Sequence, residues 1–315
     1  MLLITIFIIA GLVLLAVGSE ILVRGSSGIA LRLGVAPLVI GLTVVAFGTG
    51  TPELFVSIEA ALNNNGGIAL GNVIGSNISN IALILGLAAI VRPMRVRSEL
   101  IRREVPLMIA VTILLCVLLH DGSLSRLDGF LLTIGSIVYT IFVYWAAKRD
   151  QDKVVAAEFD EVIGTEQKRP VWLHIGFVLV GFVALLAGAK LLVNGATTIA
   201  EQFGISQVVI GLTIIAIGTS LPELATSVVA TIKDEADVAF GNAIGSNILN
   251  ILCILGITAI INPFEVQGLR AIDYLVFAGS AILLLPLLWR GSILNRWEGM
   301  VLVGGYILYL YSLIV

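Results

Sequence analysis

The chain has 315 residues, of which 58% are hydrophobic and only 12% charged. That is too little charge to cover the surface of a soluble domain of this length, so the composition specifies a membrane protein. The net charge of −3 gives no reason to expect a nucleic-acid partner.

A bilayer core takes about 20 apolar residues per helix. Runs of that length predict spans near 2–20, 36–62, 70–90, 104–120 and 126–147, then near 172–192, 206–232, 240–261, 271–289 and 297–315. The first run, LLITIFIIAGLVLLAVG, has no basic residue before it and no clear cleavage site, so it reads as a permanent span rather than a signal peptide. The second is interrupted by GTGTPE, Gly48 to Glu53, between two stretches greasy enough to lie in lipid. Proline removes an amide donor and clashes with the turn before it. The freed carbonyls are expected from Ala46 to Thr49, with glycine letting the backbone turn at little cost. Unwound backbone at this depth is tolerable only against protein or a wet cavity. In the third span Asn72, Ser76 and Asn80 recur every fourth residue, one polar stripe of neutral oxygens on a helix. Beside it Gly71 and Gly75 form a small-residue stripe on which another helix can pack.

After the fifth span comes KRDQDKVVAAEFDEVIGTEQKRP, a stretch too short and too charged to bury a core. It is read as a solvated linker over 148–171, separating five-helix units at 1–147 and 172–315. The second unit repeats the first. A shift of 170 residues places IGLTVVAFGTGTPEL on IGLTIIAIGTSLPEL and GNVIGSNISNI on GNAIGSNILNI, with Pro93 on Pro263. Shared lipid-facing composition would match Leu with Ile, but not Gly, Thr, Pro, Glu, Ser and Asn in register. Thus Glu223 follows Pro222 as Glu53 follows Pro52, the second set of freed carbonyls runs from Ala216 to Thr219, and Asn242, Ser246 and Asn250 form a second stripe beside Gly241 and Gly245. Five spans per unit invert the second relative to the first. With the N-terminus outside, every Lys and Arg except Arg126, Lys190 and Arg270 falls on the inner side, which puts both termini outside and the linker in the cytoplasm.

Inverted repeats with discontinuous helices are a device of secondary transporters, whose substrates bind where the repeats meet near the midplane. A carboxylate at a helix centre costs about 2.5–3.5 kcal/mol on insertion scales, and Glu53 and Glu223 incur that with no intramembrane Lys or Arg to pair with them. Their natural counter-charge is a hard cation. Ca²⁺ takes 6–8 oxygens in a flexible shell, whereas Mg²⁺ keeps its water. Ser57 and Ser227, one turn on, are read as orienting the glutamates. His120 and His174 fall at span ends away from both motifs, which argues against zinc or copper, and both are read as interfacial. Glu20, Glu59 and Lys190 are read as snorkelling near span ends. Cys116 and Cys253 lie in apolar runs as small core residues. No P-loop lysine follows GTGT, so nucleotide coupling is not indicated, and no nucleophile sits beside a base as an enzyme would need.

The paired G-T-x-x-P-E and G-N-x-x-G-S-N motifs, on two inverted five-helix halves, resemble the sodium/calcium exchangers of the calcium:cation antiporter superfamily, in their prokaryotic form. The resemblance covers the chain except the linker. It implies an all-α integral membrane fold of about ten helices, with the second and seventh broken, exchanging Na⁺ for Ca²⁺ and needing no cofactor beyond the transported ions. It implies Ca²⁺ on the carboxylates of Glu53 and Glu223 and the carbonyls of Thr49 and Thr219. An outer Na⁺ set would be Ala216, Thr219, Ser220 and Ser246 with Glu53, and an inner one Ala46, Thr49 and Ser76 with Glu223. The family's inner motif often carries Ser where this chain has Gly50, and often has an Asp in the middle position, where this chain has Asn80 and Asn250. The absent acid argues against potassium co-transport. Proton-coupled Ca²⁺ transport and a passive cation channel are the alternatives on the same residues.

Overall fold

The computed structural model describes residues 2–33, 37–154, 170–202, 216–266, 269–289 and 291–314. In the first half α1 spans Leu2–Leu33, α2 Leu38–Thr49, α3 Thr51–Leu62, α4 Gly66–Val91, α5 Leu100–Asp121 and α6 Arg126–Val154. In the second, α7 spans Val171–Gln202, α8 Ala216–Thr219, α9 Leu221–Ile232, α10 Ala236–Ile261, α11 Ala271–Trp289 and α12 Arg296–Ile314. Among the described residues seven helices are long and apolar enough to cross a bilayer, and α2 with α3, bent by 43°, makes an eighth. The expected span at 206–232 is described from Ala216 on, and 206–215 lie outside the described residues. Of the expected linker, 155–169 lie outside them too, while α6 carries the helix on to Val154.

Four two-residue strands prove the inversion. β1 (Met94–Arg95) follows α4, β2 (Ser123–Leu124) joins α5 to α6, β3 (Phe264–Glu265) follows α10, and β4 (Ile293–Leu294) joins α11 to α12. The 170-residue shift maps β1 on β3 and β2 on β4. Yet β1 pairs with β4, and β2 with β3. The 22 residues of α5, at about 1.5 Å each, hold β1 and β2 a bilayer apart. Equivalent strands therefore lie on opposite faces, as a two-fold axis in the membrane plane requires.

Burial follows from the solvent. Lipid offers no hydrophobic drive between helices, so association relies on close packing of small residues and on hydrogen bonds. The two Asn- and Gly-rich helices, α4 and α10, are the most enclosed spans. A Cβ on Gly245 would sit 2.6 Å from the Leu42 carbonyl, so only glycine lets α10 lie this close to α2. The same small-residue contact is expected of Gly71 and Gly75, but residues 206–215, equivalent to the segment that packs on Gly245, lie outside the described residues. α1 and α7 cross equally closely: Gly11 meets the Gly188 backbone and Gly18 that of Gly181, pairs that exchange under the repeat. Outside this core, α6 turns Phe130, Ile134, Ile137, Val138 and Ile141 outward, the apolar surface a lipid-facing span needs.

One expectation is corrected here, and two helices run on past the expected spans. α1 and α7 each run for 32 residues, so the helices that carry Glu20 and Lys190 continue beyond 2–20 and 172–192. Exposed Glu20 accepts from Lys233 Nζ at 3.0 Å. His174 is fully buried, not interfacial: its imidazole fills the space over Gly28, where a Cβ would fall 2.1 Å from Nδ1.

Candidate functional site

The break in each broken rod is chemical before it is geometric. Pro52 and Pro222 have no N–H, so the carbonyls of Gly48 and Gly218 lose their α-helical donors. Each proline sits in the first turn of the following helix, and Glu53 and Glu223 come next. There the partial positive charge of the helix N-terminus favours a carboxylate, while the carbonyl end of the preceding segment favours a cation. The break is narrower than expected. The Ala46 carbonyl still accepts the Gly50 N–H at 3.1 Å, and the Ile217 carbonyl accepts the Ser220 N–H at 3.1 Å. A carbonyl carries two lone pairs, so a helical bond leaves one for an ion.

Glu53 and Glu223 are both buried, each directly after the proline of its break. Ser220 Oγ lies within donor distance of Glu53 Oε1 (3.3 Å) and Ser76 Oγ (3.2 Å), and Ser76 Oγ lies 3.5 Å from Glu53 Oε1. Ser76, expected with Glu223, thus stands beside Glu53. Thr49 and Thr219 are buried at the two breaks, one in each half. Thr49 Oγ1 lies 3.0 Å from the Val45 carbonyl and 3.1 Å from Asn242 Oδ1. Ala46 is buried at the same turn, and Ala216 opens α8.

The asparagines divide into two roles. Asn72 Nδ2 donates to the Glu53 carbonyl (3.1 Å) and Ser57 Oγ (3.0 Å). Asn242 does the same to the Glu223 carbonyl (3.3 Å) and Ser227 Oγ (3.0 Å). These two clamp the helices that carry the glutamates, and Ser57 and Ser227 are the far ends of the clamps. Asn80 and Asn250 spend their amides elsewhere. Asn80 Nδ2 donates to Asn247 Oδ1 at 3.0 Å, and Asn250 Nδ2 to Asn77 Oδ1 at 2.9 Å. Asn77 and Asn247 in turn donate to each other's carbonyl at 3.1 and 3.2 Å, which places the two-fold axis between them. That pair was not singled out from sequence, although it stands in both copies of GSN. With their amides held there, Asn80 and Asn250 present carbonyl oxygens to the other side. Each also begins a π-helical segment, Asn80–Leu85 and Asn250–Leu255, a widening of the helix frequent at functional sites.

Among the described residues, five buried oxygens on the motif residues have no hydrogen-bond partner: Glu53 Oε2, Glu223 Oε2, Ser246 Oγ, Asn80 Oδ1 and Asn250 Oδ1. An unmatched buried acceptor costs about 1–3 kcal/mol. Five of them on α3, α4, α9 and α10 are an arrangement that a hard cation would satisfy. No group of three or more His, Cys, Asp or Glu suited to a metal occurs among the described residues, so the oxygen set is mostly neutral. The two halves are not equivalent. Where Ser220 bridges Glu53 and Ser76, its counterpart Gly50 brings no hydroxyl, and Ser246 keeps an unpartnered oxygen that Ser76 does not. A Cβ on Gly50 would lie 3.6 Å from Asn250 Oδ1, so that oxygen faces the break between α2 and α3.

The family model described as sodium/calcium exchanger protein matches residues 3–145 and 173–315. CaxA of Alkalimonas amylolytica is 43% identical over 99% of both chains. The sodium/calcium exchanger MaX1 of Methanosarcina acetivorans is 34% identical over 97% of both. The crystal structure of the sodium-calcium exchanger NCX_Mj soaked with Na⁺ and Sr²⁺ superposes with a TM-score of 0.85, at 34% identity over 99% of both chains.

Proposed function

The chain belongs to the sodium/calcium exchanger family, and we propose that it exchanges three Na⁺ for one Ca²⁺ across the membrane at one site between the broken rods. It is an integral membrane antiporter of Ca²⁺ and a second cation, not an enzyme. The observation that carries the reading is the set of five unpartnered buried oxygens around two carboxylates. In it Ca²⁺ takes the carboxylates of Glu53 and Glu223 and the carbonyls of Thr49 and Thr219. Na⁺, with half the charge, is suited by the neutral oxygens of Ser76, Ser220, Ser246, Asn80 and Asn250 and by the Ala46 and Ala216 carbonyls. Because the same carboxylates serve both ions, loading one displaces the other, and alternating exposure of a shared site is antiport.

The orientation follows the charge. Arg92, Arg95, Arg97 and Arg296 flank the β1–β4 ribbon, against Arg126 and Arg270 at the β2–β3 ribbon. The exposed Trp145, Trp172, Trp289 and Trp297 also lie at span ends on the β1–β4 side, at the headgroup depth that suits indole. The β1–β4 face is cytoplasmic on this reading, with the termini outside, in a prokaryotic plasma membrane.

In proteoliposomes at clamped pH, an imposed Na⁺ gradient should drive ⁴⁵Ca²⁺ against its own gradient. Flux that ignores Na⁺ but follows a pH gradient would assign the coupling to protons instead.

A second expectation concerns Gly50. Its φ of −76° is open to any residue, and the added Cβ would meet the Ala46 carbonyl at 3.1 Å, a tight but local contact. Gly50→Ser should add an oxygen beside Asn250 Oδ1 and lower half-saturating Na⁺ by roughly fivefold, the worth of one further polar contact. An unchanged Na⁺ dependence would mean that position 50 does not face the ion.

A further inference from the structure

The turn between α9 and α10 reads KDEAD, Lys233 to Asp237, while its counterpart between α3 and α4 reads NNNGG, Asn63 to Gly67. The charged turn is tied into the other half three times. Lys233 Nζ lies 3.0 Å from Glu20 Oε1 in α1, Asp234 Oδ1 lies 3.0 Å from the Arg92 guanidinium, and Asp237 pairs with Arg97. On the opposite face the equivalent places hold Asn63 for Lys233, Lys190 for Glu20, and Asn262 for Arg92. Asn63 spends its amide on its own helix, at 2.9 Å from the Glu59 carbonyl.

Helix packing is lopsided in the same sense. α1 lies along α9, whereas the equivalent helices, α7 and α3, make no comparable contact among the described residues. In an inverted repeat the other state of the cycle arises when the halves exchange conformations. α7 would then lie along α3, and α1 would leave α9. Arg92 and Arg97 sit just after α4, which the Asn77–Asn247 pair fastens to α10, so their two ion pairs fix the turn itself. Glu20–Lys233 is the pair that the exchange must break.

We infer that Glu20 and Lys233 form a one-sided latch, which holds α1 on α9 and biases the resting protein toward the state closed on the Lys233 face. The inference rests on the antiport reading above. It has a mirror image: Asn63→Glu would set a carboxylate opposite Lys190 and supply the missing latch on the other face. Lys233→Asn would remove the existing latch by installing the residue that the other half carries. Glu20, Asn63, Lys190 and Lys233 are all exposed, so neither change disturbs the core.

An ion arriving from one side binds only the fraction of protein open to that side, so apparent affinity on each face scales with that fraction. The measurement is half-saturating Ca²⁺ on each face, in vesicles of both orientations. The ratio of the value on the Lys233 face to that on the Asn63 face should fall roughly two- to fivefold in either variant, the range of one exposed ion pair. It should fall further in the double variant. The charge swap Glu20→Lys with Lys233→Glu should return the ratio to the wild-type value. An unchanged ratio in both single variants that still transport, or a swap that fails to restore it, overturns the latch. A wild-type protein that does not exchange Ca²⁺ at all would instead overturn the reading on which it rests.

Discussion

Replacing Glu53 or Glu223 by Gln should abolish Ca²⁺ exchange while leaving the protein folded. On the proposed reading, each carboxylate supplies half the negative charge available to a divalent ion in a buried site. Removing one partner of a buried charge pair costs about 3–5 kcal/mol, so Ca²⁺ affinity should fall by at least about a hundredfold. The fold should survive because Gln is neutral and close to Glu in size, so it adds no buried charge and leaves no cavity. Its amide oxygen can still accept from Ser76 and Ser220 at position 53. Two measurements separate loss of binding from loss of fold. Without Ca²⁺, both variants should melt at or above the wild-type temperature. Ca²⁺ should then raise the wild-type melting temperature, as any ligand of the native state does, and leave the variants where they were. Ordinary Ca²⁺ exchange by either variant would remove that glutamate from the site.

Much of this was legible because the chain is written twice. The 170-residue register fixed Pro-Glu at both breaks and Asn, Ser and Asn on both stripes, and an odd number of spans per half required the inversion that the β1–β4 and β2–β3 pairs display. What escaped depends on contacts rather than pattern. The spans of α1 and α7 were cut short because Glu20, Arg24 and Lys190 interrupt the apolar runs, although the helices continue past them. His174 looked interfacial by position alone, whereas the missing side chain of Gly28, far away in sequence, makes room to bury it. The π-helical turns at Asn80 and Asn250 have no signature in residue spacing, since the same side chains fit an ordinary helix. Nor could spacing assign Asn72 and Asn242 to the clamps and Asn80 and Asn250 to the pairs with Asn247 and Asn77. That division depends on which acceptor each amide meets, and those acceptors lie across the two-fold axis for Asn80 and Asn250.

If one site of charge −2 carries either ion across the membrane, as proposed, the exchange has an electrical signature. One Ca²⁺ neutralises Glu53 and Glu223, whereas three Na⁺ leave the site with one positive charge, because Asn80 and Asn250 contribute no acid. Each cycle then moves one net charge, worth about 2.3 kcal/mol per 100 mV. Spread over three Na⁺, at about 1.4 kcal/mol per tenfold gradient, this shifts the Na⁺ ratio at which net Ca²⁺ flux reverses by roughly 3.5-fold per 100 mV. The measurement is that reversal ratio in proteoliposomes whose potential is set by K⁺ and valinomycin, with Ca²⁺ and pH held fixed. An inside-negative potential should favour Ca²⁺ leaving, with a shift of about this size. A reversal ratio that ignores voltage would contradict the account, and would make the exchange electroneutral, with two Na⁺ or two protons for each Ca²⁺.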